Sequence, residues 1–118
     1  MNLNKLAHTV RKFAEERNWN QFHSPKNLSM ALAGESGELL ELFQWLKEEE
    51  SFRENMDEKT YEKVKEELAD IFIYLVRIAD RLDIDLEEVA YRKIEINKAK
   101  YPVSLSKDNA VKYNRRDE

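Results

Sequence analysis

The sequence predicts an all-α fold, a four-helix bundle protomer completed by oligomerisation, and three observations predict it. Only two Gly and two Pro interrupt 118 residues. Charged residues make up 37% and hydrophobic ones 42%, a mixture rich in Glu, Lys, Leu and Ile that favours long amphipathic helices. Apolar residues recur at helical spacing along most of the chain, and on two of the helices carboxylates interrupt the apolar stripe at matching places.

The first helix is marked by Leu3, Leu6, Val10 and Phe13 and should end near Arg17-Asn18. Trp19 to Ser24 breaks the pattern with two aromatics and His23. Ser24-Pro25 then reads as an N-cap and first helical position. The second helix is expected from Pro25 to about Glu49, with Leu28, Leu32, Leu39, Leu42 and Leu46 on one stripe. Glu35 projects into that stripe and Glu38 lies at its edge. The protein's only glycines, Gly34 and Gly37, bracket Glu35; close helix packing or room for a ligand would each account for them.

Glu48 to Met56 is polar enough for a turn, and Asp57 is a plausible N-cap for a third helix reaching about Asp83. Its stripe is Val64, Leu68, Ile71, Leu75 and Leu82, flanked by Glu67 and Asp70. Ile71 to Val76 is apolar nearly all round, which predicts packing against another subunit. A fourth helix begins at Asp85, with Glu88 completing a capping-box variant, and carries Leu86, Val89, Ala90 and Ile94. Lys93 and Asn97 fall on that apolar line. Pro102 ends the helix, closing a domain of residues 1–102, and 103–118 is a polar tail that orders only if something docks it.

The net charge of −4 argues against nucleic-acid binding by phosphate neutralisation. The absence of Cys excludes disulfides, thiolate nucleophiles and zinc–thiolate sites. No apolar run long enough for a membrane span and no signal peptide is evident, so no membrane partner and a cytoplasmic location are expected.

The chemistry gathers on Glu35, Glu38, Glu67 and Asp70. A hairpin closing near residues 52 and 53 would set the two pairs at one height, facing each other. A carboxylate aimed at a core must be paired, protonated or bound to a cation. Four carboxylates make a hard-oxygen site suited to Mg²⁺, with Mn²⁺ possible. A di-iron bundle needs Glu-x-x-His on two helices, and neither His8 nor His23 follows a glutamate at that spacing. The bland alternative is a helical interaction module whose acids are merely solvated.

Glu35-x-x-Glu38 followed by Glu67-x-x-Asp70 resembles the metal signature of the all-α nucleoside triphosphate pyrophosphohydrolases, the MazG-like superfamily. Gly34 stands where its usual Glu-Glu-x-x-Glu motif has the first glutamate. Phe22-His23, Pro25, Asn27-Leu28, Glu41 to Trp45, and Lys93-x-x-x-Asn97 before Tyr101-Pro102 resemble the dCTP pyrophosphatase branch, which shares that glycine. The resemblance implies a MazG-like bundle that cleaves a nucleoside triphosphate, dCTP or a modified cytosine nucleotide, to monophosphate and pyrophosphate. A nucleotide-pool house-cleaning role follows from it, as does the alternative of a related enzyme with another nucleotide substrate. It implies metal ligation by Glu35, Glu38, Glu67 and Asp70, with Glu38 or Glu41 as the catalytic base. Trp19, His23, Trp45 and Tyr74 would surround the base, and Lys93 and Asn97 would meet phosphate or sugar. A homotetramer built as a dimer of dimers, or a homodimer, would be the working assembly.

Overall fold

The computed structural model describes residues 1–115, and every regular element among them is helical. The main helices are α1 (Leu3–Glu16), α2 (Pro25–Phe43), α3 (Glu58–Arg81) and α4 (Leu86–Lys100), followed by the single turn α5 (Val103–Ser106). The all-α class expected from the sequence is the class observed. No helix among the described residues is long and apolar enough to cross a membrane.

Each main helix starts where a short oxygen-bearing side chain can accept from an orphan backbone N–H. Asn2 accepts from Lys5, Ser24 from Asn27, Asp57 from Thr60 and Asp85 from Glu88. Asp85 therefore supplies its half of the expected capping box, whereas the Glu88 carboxylate pairs forward with Arg92. α1 and α3 end alike. Asn18 and Asp83 adopt left-handed φ values of 55° and 54°. Trp19 N–H then reaches back to the Ala14 carbonyl, and Ile84 N–H to that of Ala79, which closes each helix with a Schellman turn.

α2 is six residues shorter than the sequence predicts, ending at Phe43 instead of near Glu49. Electrostatics explains the difference. A longer α2 would put Glu48 and Glu49 in its last turn, at the negative end of the helix dipole. Instead the chain breaks and restarts as a 3₁₀ turn at Glu48–Ser51, with those acids in its first turn. The Glu50 carboxylate accepts from Lys47 N–H at 2.8 Å, and Asn55 donates to the Glu49 carbonyl at 2.7 Å.

The chain divides into two compact units, Met1–Ile84 and a second beginning at Asp85. In the first, α3 packs against both α2 and α1. Links from the start of α2 to the end of α3, such as Arg77 to His23, make α2 and α3 an antiparallel hairpin. Its buried apolar residues are Ala14, Leu28, Val64, Val76 and Ala79. Leu68 and Leu82, expected on the buried stripe of α3, are instead about half exposed. α1 joins α3 near its C-terminal end, through Arg11 and Asp80, and at about 21 Å long it is too short to cover the 36 Å of α3 as far as Leu68.

In the second unit no residue of α4 is buried. Residues past Pro102 fold back on the end of α4: the Tyr113 ring meets Tyr101 edge-on at 6.0 Å, and Lys100 lies over Tyr113. The tail thus has a docking point within its own unit. Its last three residues lie outside the described ones.

Candidate metal centre

α2 and α3 bring together three of the four carboxylates singled out in the sequence. One oxygen each from Glu35, Glu38 and Glu67 lies within 4.8 Å of the others. Helical spacing puts Glu35 and Glu38 one turn apart on α2, and the antiparallel hairpin sets Glu67 of α3 opposite them. Glu35 and Glu67 are partly buried and Glu38 is exposed, so the cluster has a closed floor and an open rim.

Electrostatics marks the floor as unfinished. Glu35 Oε2 and Glu67 Oε2 are buried with no hydrogen-bond partner among the described residues. Burial, contacts with the Glu38 and Glu67 carboxyls, and the charges of Glu38 and Asp70 push the Glu35 carboxyl up to about 7. Burial, with Glu38 and the charge of Asp70, raises Glu67 as well, against a contact with Glu35 that lowers it. Without a cation Glu35 keeps its proton well above the ordinary glutamate range, to about 7; a divalent ion would satisfy the orphaned oxygens and release it. All donors are hard oxygens, which fits a divalent cation of the Mg²⁺ or Mn²⁺ kind. Neither glycine is demanded by packing: a Cβ added at Gly34 or Gly37 would meet nothing within 4 Å outside its own helix. The space beside Glu35 stays open.

Asp70 is exposed, outside the close triad, and acts on Glu35 and Glu67 through its charge. Glu41 is exposed on α2, one turn beyond Glu38. The aromatic candidates separate into two places. Trp19 contacts Phe13 and His23 edge-on, with ring centroids at 5.7 and 6.0 Å, just before α2 begins. Trp45 lies just past the other end of α2 and is 87% exposed. About 28 Å of helix lies between His23 and Trp45, and about 18 Å of axis between His23 and Glu35. Tyr74 is half-buried on α3, two turns beyond Glu67. Lys93 and Asn97 stand one turn apart on α4, both exposed, in the second unit.

One residue that sequence reading passed over is Arg77, buried at the end of an apolar run. Its partners Asn20 and His23 lie more than fifty residues away in the chain. No local pattern announces such a contact.

Comparison with known proteins gives this geometry a context. The model of the MazG-like family matches residues 31–115, which include the three clustered carboxylates. Over 102 residues, 86% of the chain, it is 47% identical to dCTP pyrophosphatase 1 of Bos taurus and 43% identical to that of Homo sapiens. The chain spans 60% of the length of these curated relatives. A crystal structure of a pyrophosphatase from Archaeoglobus fulgidus superposes with a TM-score of 0.77 at 38% identity, covering 84% of this chain and 91% of that one.

Proposed function

The chain belongs to the MazG-like family, and from that premise we propose that it hydrolyses a nucleoside triphosphate, with Mg²⁺, to a monophosphate and pyrophosphate. The observation that carries this reading is the Glu35–Glu38–Glu67 cluster with its two orphaned buried oxygens. dCTP, or a cytosine nucleotide modified on the base, is the favoured substrate by similarity to the dCTP pyrophosphatases, and clearing such nucleotides from the pool is the matching role.

Glu35, Glu38 and Glu67 would hold the cation, with Asp70 completing the negative field. Held there, a divalent ion would neutralise the triphosphate and lower the pKa of an attacking water. The chain's own groups do the rest. Glu38, exposed at the rim, or Glu41, the next carboxylate along α2, would accept the water's proton. Lys93 offers a cation and Asn97 an amide to phosphate or sugar. Trp19, His23, Trp45 and Tyr74 offer aromatic faces to the base, and stacking on such faces contributes about 1–3 kcal/mol each.

The same distances support a reading with more than one copy of the chain. His23 and Trp45, at opposite ends of α2, cannot both touch one base from a single chain. A homo-oligomer, a dimer or a tetramer made of two dimers, would bring one copy's Trp45 toward another's His23. α4 supports this reading, since Val89, Tyr91, Ile94 and Ile96 are all more than a third exposed.

Pyrophosphate release from a panel of dNTPs and NTPs with Mg²⁺ tests the reaction. dCTP should be cleaved, and Glu35→Ala should lower kcat/KM by at least about a hundredfold by removing a ligand from the cluster. Cleavage of another nucleotide would move the substrate and keep the chemistry. No cleavage of any nucleotide would sink the enzymatic reading.

A further inference from the structure

The end of α3 carries a guanidinium for which the carboxylate cluster has no use. Arg77 is 2% exposed, and all three of its nitrogens are engaged. Nε donates to His23 Nδ1 at 3.1 Å, Nη1 to Asp80 at 3.3 Å, and Nη2 to Asn20 Oδ1 at 2.6 Å. Behind it, Arg11 of α1 grips both oxygens of Asp80. One turn further along α3, Arg81 Nε donates to the His23 carbonyl at 3.1 Å. The histidine is therefore fixed from α3 at its main chain and at its ring.

The chemistry of these partners leaves one protonation state for the ring. A guanidinium has only donors, so the nitrogen it meets must offer a lone pair. A neutral imidazole has one such nitrogen; the other carries the proton. With Nδ1 accepting, the proton sits on Nε2. That N–H makes no hydrogen bond among the described residues, and the ring is only partly buried, edge-on to Trp19.

We propose that Arg77 is a positioning residue for base recognition: it fixes His23 as the Nε2–H tautomer, so the ring presents a donor to an acceptor atom on the nucleobase. Cytosine carries two such acceptors side by side, the O2 carbonyl and the unprotonated N3. A base with a protonated ring nitrogen at that place would set donor against donor. The proposal rests on His23 belonging to the base pocket. The charged groups that act on the ring are Arg77 and Arg81 of α3; the cavity on which both arginines border is also lined by Asp80 and Asp83 of the α3 end and by Arg11 and Glu15 of α1. Burial and the two nearby arginines, Arg77 and Arg81, hold the imidazolium form of His23 below its ordinary range.

Two-bond ¹H–¹⁵N correlation of the histidine rings in the full chain tests this without reference to activity. The expected wild-type spectrum has an unprotonated Nδ1 and a protonated Nε2 on His23, persisting as the pH passes below the ordinary histidine value of about 6.5. In Arg77→Met both tautomers should appear and the titration should move up, and Arg77→Lys, which keeps a donor and a charge, should restore part of the wild-type pattern. KM for dCTP should rise roughly three- to tenfold in Arg77→Met, as for one lost hydrogen bond, with a smaller change in kcat. A wild-type ring protonated on Nδ1, or titrating at its ordinary value, overturns the proposal. So does a changed tautomer with an unchanged KM, which would leave Arg77 as a loop anchor alone. If wild-type protein cleaves no nucleotide, the hydrolase reading fails on that result. The positioning role is then judged by adding dCMP, and an unmoved His23 Nε2–H signal overturns it.

Discussion

At the scale of single residues, the molecule concentrates its electrostatic cost at Glu35. Its carboxyl, pushed up to about 7 by burial and neighbouring acids, binds a proton in the folded state that the unfolded chain releases near the ordinary glutamate value. Between those two points the folded state holds more protons, so this group makes the metal-free protein less stable as pH rises from about 4.5 to 7. Glu67, raised as well, acts in the same direction. His23 has the opposite sign, because its folded value is depressed. The contribution of Glu35 is therefore read as the difference between wild type and Glu35→Gln. In EDTA, the urea midpoint of wild type relative to the variant should fall from pH 5 to pH 8. Mg²⁺ should cancel that fall in wild type and do little for the variant, since ion and proton compete for the same oxygens. A relative midpoint that rises over this range would remove the case for a proton-holding cluster.

At the scale of elements, what the sequence disclosed was local. The four caps at Asn2, Ser24, Asp57 and Asp85 follow from residue type and the periodicity after them, and three of these were legible beforehand. The height match of Glu35 and Glu67 needed only a count of residues through one turn, and the two carboxylates do meet. The early end of α2 was less legible. Helix propensity alone carries Gln44 to Glu49 onward, and only the preference of three acids for a new N-terminus argues against it. Arg77 was illegible, because a buried cation is justified by partners that tertiary folding brings to it. The Schellman turns give a test at this scale. Asn18 holds a left-handed conformation that suits glycine better, yet the chain has glycine only within α2. Asn18→Gly should stabilise the fold by about 0.5 kcal/mol, the relief of the left-handed strain less the entropy glycine adds to the unfolded chain. A loss of stability on urea unfolding would show that the Asn18 side chain itself contributes to the cap.

At the scale of the whole molecule, the question is whether one copy makes a site. The acids of α2 and α3 converge within one chain, whereas the two aromatic places stand about 28 Å apart along α2. If one base meets both His23 and Trp45, the two come from different copies, and one of them serves carboxylates that are not its own. Hybrid oligomers test this. Glu35→Ala chains co-expressed with His23→Ala chains would carry intact composite sites if His23 is the residue supplied across the interface. Glu35→Ala with Trp45→Ala would do so if Trp45 is. One of the two mixtures should therefore recover pyrophosphate release above either parent variant, while the other stays near the level of its better parent. Sedimentation should show a homo-oligomer in wild type, weakened by Ile94→Glu on the exposed face of α4. Recovery in neither mixture, or a monomer that retains full activity, would mean that a single chain's carboxylates and one aromatic cluster suffice. Trp45 or the Trp19–His23 pair would then have to be reassigned away from the base.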